Sequence, residues 1–295
     1  MLNLQRVTMF IAVVDAGSFT LAAAALGQTK AVVSFNVRQL ENELGVTLLL
    51  RSTRRLRLTD AGTLFYQRGV ALLKAAENLQ DEVRASHTGL SGELRITTTP
   101  EYGAQVIIPA LAAFARRHPL LRVRHVSSSH HADLISERFD VAIRLGTLAD
   151  SRYRATRIAS FAILPVASPA WLASHPVQTL SDLAQADWII HERLSAPLRW
   201  QLRTDQQTEV DFAIASAPRF SADSATALMS FALAGCGIAL LPAWLVAEKV
   251  AQRELVPLLS EYHFPQQGVY ALYPDAQHMP TRVRAFIDFL REKVG

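Results

Sequence analysis

The sequence predicts a mixed α/β protein in three parts: a small helical unit closed by a basic hairpin, one long helix, and a larger unit of strands alternating with helices. Three observations predict it. Apolar residues recur at helical spacing between capping residues over the first 44 positions; VTLLLRSTRRLRLT then reads as two short strands carrying four arginines; and from Glu93 onward short strands alternate with helical stretches. A chain of 295 residues exceeds one comfortable core, and half its residues are hydrophobic with 19% charged, the balance of a folded protein.

Leu4, Val7, Ile11 and Val14 share one face of a first helix that ends near Ala16 and Gly17. Ser18 caps a second helix over 19–26, whose alanines let a neighbour approach closely. Gly27 stops it, and Thr29 caps a third helix over 30–44 that Gly45 ends. Helix, short turn and helix follow in order. In the third helix Val33, Val37, Leu40 and Leu44 form an apolar stripe, while Lys30, Ser34 and Arg38 lie along another face. The stripe holds the helix on a small core, and the second face offers donors suited to base edges in a DNA major groove. An ordinary solvated face carries the same residues, so the charges alone do not choose.

The hairpin does. It has four arginines and no acid, and Arg51, Arg54 and Arg55 are candidates for phosphate contacts beside the helix, whereas Arg57 is equally placed to pair with the protein. Residues 1–60 hold seven Lys and Arg against four Asp and Glu, so +3 of the net +4 sits there and +1 on the other 235 residues. Charge gathered in one small unit points to an anionic partner, with double-stranded DNA the candidate.

Thr59 and Asp60 open a long helix to about residue 86, with a capping hydroxyl followed by an acid that complements the helix dipole. Phe65, Leu72, Ala76, Leu79 and Val83 keep a seam spacing suited to pairing with a second copy. A rod of roughly 40 Å results, at ~1.5 Å per residue, and HTGLSG marks a hinge after it.

GELRITTTP is a strand whose end runs into a helix start, Thr99-Pro100-Glu101. Ligands of open α/β sheets bind at such strand ends, which makes Thr98 and Thr99 ligand candidates. Glu101 opposes an anionic ligand unless it points away, and a capped helix with nothing bound is the alternative. An amphipathic IIPALAAFARRHP helix, the strand LRVRHV, the turn SSSHHAD and the strand FDVAIRLGTLADS with Arg144 follow.

Other chemistry lacks support. His125, His130 and His131 fall at a strand end and turn without metal-ligand spacing, so no metal is expected. Cys236 between two glycines reads as a packed thiol in a reducing compartment. With no G-x-S-x-G, phosphate loop or HExxH, neither catalysis nor a cofactor is expected. The opening MLNLQRVTMFIAVVDAGSF lacks the apolar run of a signal peptide, and the apolar stretch over 225–246 is broken by Gly235, Gly237 and Pro242, so a cytoplasmic protein without a membrane segment is expected.

The run AGSFTLAAAALGQTKAVVSFNVRQLENELGVTLLLRSTRRLRLTDAG resembles the signature of the LysR-type transcriptional regulators: an AA-x-x-L helix, a recognition helix ending in R-x-LE, an LG-x-x-L-x-x-R turn and an LT-x-AG helix start. Lys30 and Phe35 depart from the family's usual residues. Phe35 either contacts a thymine methyl or packs inward. The resemblance implies a winged helix-turn-helix over 1–59 contacting DNA through Thr29, Lys30, Ala31, Ser34, Phe35, Arg38, Arg51, Thr53, Arg54 and Arg55. It further implies a dimerisation linker helix over 60–87 and a homodimer that associates into a homotetramer. GELRI, AGCGIALLP and TRVRAFIDFLREKV resemble the family's effector domain, a two-lobed periplasmic-binding-protein-like fold over 92–295, with lobe I about 92–162 and 268–295 and lobe II about 163–267. Positions resembling those that line the family's cleft are Thr98, Thr99, Ser128, Arg144, His191, Trp200 and Ser224, mostly donors suited to a small carboxylate. RLGTLADS looks most like the subgroup that includes regulators of aromatic-acid responses, so a small organic or aromatic acid is the expected effector. An enzyme or a solute-binding protein on the same two-lobed fold would leave the N-terminal unit unexplained.

Overall fold

The computed structural model describes residues 2–51, 56–128, 134, 138–146, 153–274 and 279–294. Helix α1 (Leu4–Ala16) starts on Asn3, whose side chain accepts from the Gln5 and Arg6 amides. Ser18 caps α2 (Phe19–Ala25) and Thr29 caps α3 (Lys30–Leu44), each hydroxyl taking an orphan N–H of the first turn. The hairpin pairs β1 (Leu49–Arg51) with β2 (Leu56–Leu58) antiparallel. Val7, Phe10, Val13, Ala22, Val33, Val37, Leu40 and Leu48 are buried together as this unit's core.

Helix α4 (Asp60–Thr88) begins directly beneath the hairpin. A Cβ on Gly62 would lie 2.1 Å from the Leu48 carbonyl oxygen, so only glycine permits that approach. The expected seam is corrected at its first member. Phe65 packs edge-on against Phe10, with ring centroids 5.4 Å apart, because the first turns of α4 complete the N-terminal core. Leu72, Leu79 and Val83 remain outward, at 40%, 62% and 60% exposure.

The remainder forms two five-stranded sheets and a smaller three-stranded one, with helices around them. Strand β3 (Gly92–Thr98) leads into α5 (Pro100–Tyr102), a π-turn over Gly103–Ile107, and α6 (Ile108–Arg117). Strands β4 (Leu121–Ser127), β5 (Val141–Leu145) and β6 (Tyr153–Phe161) follow. The chain then enters the second lobe with β7 (Ile163–Ala167), α7 (Pro169–Leu172), α8 (Leu180–Gln185) and β8 (Trp188–His191). Next come β9 (Arg199–Thr204), β10 (Glu209–Ala213), β11 (Phe220–Ala222), α9 (Ala225–Leu233), β12 (Ile238–Pro242) and α10 (Ala243–Ala251). After β13 (Val256–Pro257) and β14 (Tyr262–His263), β15 (Gln267–Pro274) returns to the first lobe, and α11 (Thr281–Val294) packs on it.

The first lobe's sheet runs β4-β3-β5-β15-β6, with β3 parallel to its two neighbours. The second lobe's runs β11-β8-β12-β7-β13, beside a smaller β10-β9-β14 sheet. Leu94, Ile96, Phe114, Val141, Ile143, Phe286 and Leu290 fill the first core, and Trp188, Leu183, Phe212 and Ile238 the second. Each fully buried side chain of this size contributes about 1.5–3 kcal/mol by leaving water.

Polar contacts dock α4 and the N-terminal unit on the first lobe. Lys74 Nζ stands 2.8 Å from the buried Asp140 Oδ1 and donates to the Phe139 carbonyl at 3.0 Å, while Arg282 Nη2 donates to Asn78 Oδ1 at 2.9 Å. At the near end Asp15 accepts from the Tyr66 hydroxyl at 2.6 Å and pairs with Arg138 at 2.5 Å. Burial and then Asp15 hold the Tyr66 phenol up to about 12. A cavity of about 300 Å³ lies along this seam.

Candidate nucleic-acid interface and effector cleft

Thr29, Lys30, Ala31 and Arg38 are exposed on α3, Phe35 is 58% exposed, and Ser34 is half-buried. Buried Val33, Val37 and Leu40 turn the opposite side inward. The Thr29 hydroxyl is engaged by the Val32 amide at 3.3 Å, so its first task is to start the helix. Sequence reasoning missed Glu41. Its Oε1 accepts from the Leu48 and Leu49 amides at 2.8 and 3.0 Å, which fixes the hairpin's angle to α3. The only sequence signal for it was the acid of the R-x-LE motif. Arg51 ends β1, and Thr53, Arg54 and Arg55 lie outside the described residues, as do His130 and His131. Arg57 is exposed opposite Leu50.

In the larger unit the predicted cleft residues divide into two groups. His191 and Ser224 both lie within reach of Glu101, the acid that opposes an anionic ligand unless it points away. Glu101 reaches from the first lobe to the second, where its Oε1 accepts from Ser224 Oγ at 2.7 Å and lies 3.5 Å from the Thr226 amide. The carboxylate thus sits at the N-terminus of α9, where the helix dipole favours it. Strand β11 runs parallel to β8 with Ala222 opposite His191, which brings His191 under the same carboxylate. Burial lowers the His191 imidazole below its ordinary value, the Arg193 guanidinium reinforces this, and Glu101, Asp223 and Glu192 oppose it. Among the described residues the buried Thr99 hydroxyl oxygen has no hydrogen-bond partner.

The other four make their hydrogen bonds and ring contacts within their own lobes. Thr98 is wholly buried, its hydroxyl 2.8 Å from His125 Nε2 and 3.1 Å from the Thr99 carbonyl, so its side chain serves the first lobe's interior. Gly103 makes room for that hydroxyl, since a Cβ there would lie 2.1 Å from it. Ser128 donates its amide to the Thr98 carbonyl at 2.9 Å. Arg144 is buried on β5, with Nη1 donating to the Ile143 carbonyl at 3.0 Å and Nη2 to Thr97 Oγ1 at 3.3 Å. Trp200 stands edge-on to Phe264 in the second lobe's apolar cluster, its indole N–H taken by the Pro197 carbonyl at 3.0 Å. No group of His, Cys, Asp and Glu suited to a metal occurs among the described residues.

Comparison with known proteins agrees with both halves. Residues 4–63 match the bacterial regulatory helix-turn-helix protein, lysR family, and residues 87–295 match the LysR substrate binding domain. The chain is 39% identical to the HTH-type transcriptional regulator PtxR of Pseudomonas aeruginosa, over 100% of this chain and 94% of that protein. It is similar to the solved structure of CrgA, a LysR-type transcriptional regulator from Neisseria meningitidis, at 32% identity with a TM-score of 0.60 and 100% of both chains covered. The full-length structure of the Vibrio cholerae virulence activator AphB matches at 30% identity and a TM-score of 0.59, covering 98% of each chain.

Proposed function

The chain belongs to the LysR family of DNA-binding transcription regulators, which carry an effector-binding domain and act without catalysis, and from that premise we propose how its own residues divide the work. Residues 1–59 bind DNA, 60–87 dimerise and 92–295 sense the effector. Thr29, Lys30, Ala31, Ser34, Phe35 and Arg38 face the base edges of a major groove, and Arg51, Thr53, Arg54 and Arg55 contact flanking phosphates. The observation that carries this reading is the posture of α3: capped at both ends, anchored by three fully buried apolar residues, and held to the hairpin by Glu41.

Two copies pair through α4, supported by its outward Leu72, Leu79 and Val83, and two pairs make a tetramer acting on DNA in the cytoplasm. No single helix among the described residues is long and apolar enough to cross a membrane. The effector, a small organic or aromatic acid, enters between the lobes near Thr99, Ser128, Arg144, His191 and Ser224, with Thr98 and Trp200 shaping the walls. Such a ligand alters regulation only to the extent that it binds two arrangements of the lobes unequally, and Glu101 on Ser224 is the contact through which one arrangement is held. Each dimer sets two recognition helices in successive major grooves of an interrupted inverted repeat, and the effector changes the relation between dimers and hence the bend in the DNA.

Gel shifts against the DNA flanking its own gene, across a salt series, test the reading: binding that is sequence-selective and weakens steeply with salt is expected, and its absence refutes it. A thermal-shift screen of small acids tests the effector class, since a ligand that binds only the folded form raises the melting temperature.

A further inference from the structure

On a helix of 3.6 residues per turn, Val33, Val37 and Leu40 point into the core, and Phe35 projects within roughly 20° of the opposite direction. Inward packing is therefore closed to it. The ring is 58% exposed, takes no part in the core of the N-terminal unit, and shares the outermost line of α3 with exposed Ala31 and Arg38.

The chemistry around it selects the partner. Arg38 on the same outward side, exposed Lys30 at the start of the helix and the arginine hairpin that follows in the chain call for a polyanion, yet a phenyl ring neither donates nor accepts a hydrogen bond. A major groove presents one apolar group, the C5-methyl of thymine, among edges that otherwise carry donors and acceptors. A ring pressed on guanine, cytosine or adenine would leave those polar edges dry and unpaired. We propose that Phe35 reads thymine, packing its ring on the C5-methyl of one base in each half-site. This rests on the reading that α3 lies in a major groove, and it adds a base identity that the cationic and hydroxyl side chains do not specify.

Replacing thymine by deoxyuridine removes the methyl and leaves the hydrogen-bonding edge unchanged. Full-length protein is titrated by fluorescence anisotropy against its footprinted upstream DNA, with each symmetric thymine pair replaced by deoxyuridine in turn. At one pair the wild type should lose about fourfold in affinity per half-site, the transfer value of one methyl-sized group, and so about fifteenfold for the pair. Phe35→Ala should bind the thymine and uracil duplexes alike, and Phe35→Leu should keep part of the difference. No sensitive pair in the wild type, an equal loss in Phe35→Ala, or a Phe35→Ala protein that is unfolded by circular dichroism each overturns the proposal. A wild type without selective DNA binding overturns the groove reading itself, a separate outcome from selective binding that ignores the methyl.

Discussion

Replacing Asp140 by asparagine should loosen the long helix from the first lobe. The Asp140 side chain is 2% exposed; Oδ2 accepts from the Arg95 amide at 2.8 Å, and Oδ1 faces Lys74 Nζ at 2.8 Å and Arg282 Nη2 at 3.8 Å. Asparagine is near-isosteric and retains an oxygen for the Arg95 amide, so the exchange isolates the charge. Breaking a buried ion pair from one side costs about 3–5 kcal/mol. Lys74 is 25% exposed and keeps the Phe139 carbonyl, which places the cost near the lower end, about 3 kcal/mol. For a domain of this size that is a fall of roughly 6–12 °C in melting temperature.

The pH dependence has a definite sign. Burial lowers the Lys74 ammonium below its ordinary value and Asp140 is the chief opposing influence, so D140N lowers it further. A base whose folded pKa lies below its unfolded one destabilises the fold while it is charged, and this penalty fades as pH rises through the folded value toward 10.5. The gap between D140N and wild type, followed by calorimetry, should therefore narrow from neutral to alkaline pH. Adding Lys74→Met should recover part of the loss, with a coupling of the kind neighbours in one network show. A D140N cost below about 1 kcal/mol, or strict additivity with Lys74→Met, refutes the account.

Three further outcomes follow from other contacts. Glu101→Gln should weaken the tie between lobes and speed hydrogen exchange at the Thr226 and Ala227 amides several-fold, and unchanged rates there would show that the carboxylate holds nothing. Gly103→Ala places a Cβ 2.1 Å from the Thr98 hydroxyl and should cost about 1–3 kcal/mol by thermal melts, most of it relieved by a second change, Thr98→Ala; a neutral Gly103→Ala contradicts the crowding. Asp15→Asn should barely change stability, since exposed pairs contribute under about 1 kcal/mol. It should nonetheless bring the Tyr66 phenol part of the way down from about 12, read by spectrophotometric titration, and an unmoved titration would deny the contact.

The N-terminal unit was legible because its determinants are local. Ser18 and Thr29 cap helices whose first amides they accept, Gly45 closes α3 in a left-handed conformation at φ 68°, and Val33, Val37 and Leu40 repeat within one helix. The LysR signature lies in the same stretch for the same reason. In the larger unit the alternation of strands and helices was readable because each element's period is local, whereas Thr99, His191 and Ser224 came forward only through resemblance to a fold whose strand ends meet ligands.

What the sequence alone determined, then, is which residues share a face of one element: periods of 3.6 and 2 write faces into the chain. Which faces meet is decided by packing, and that has no local mark. Glu101 and Ser224 stand 123 positions apart, as do Asp15 and Arg138, and Asn78 and Arg282 are separated by 204. The tertiary structure moved Phe65 from the seam to the core, turned the Thr98 hydroxyl inward to His125, and converted Glu101 from an obstacle into the link between lobes. It also closed the inward alternative for Phe35, because three buried residues on one helix leave their opposite side no core to reach.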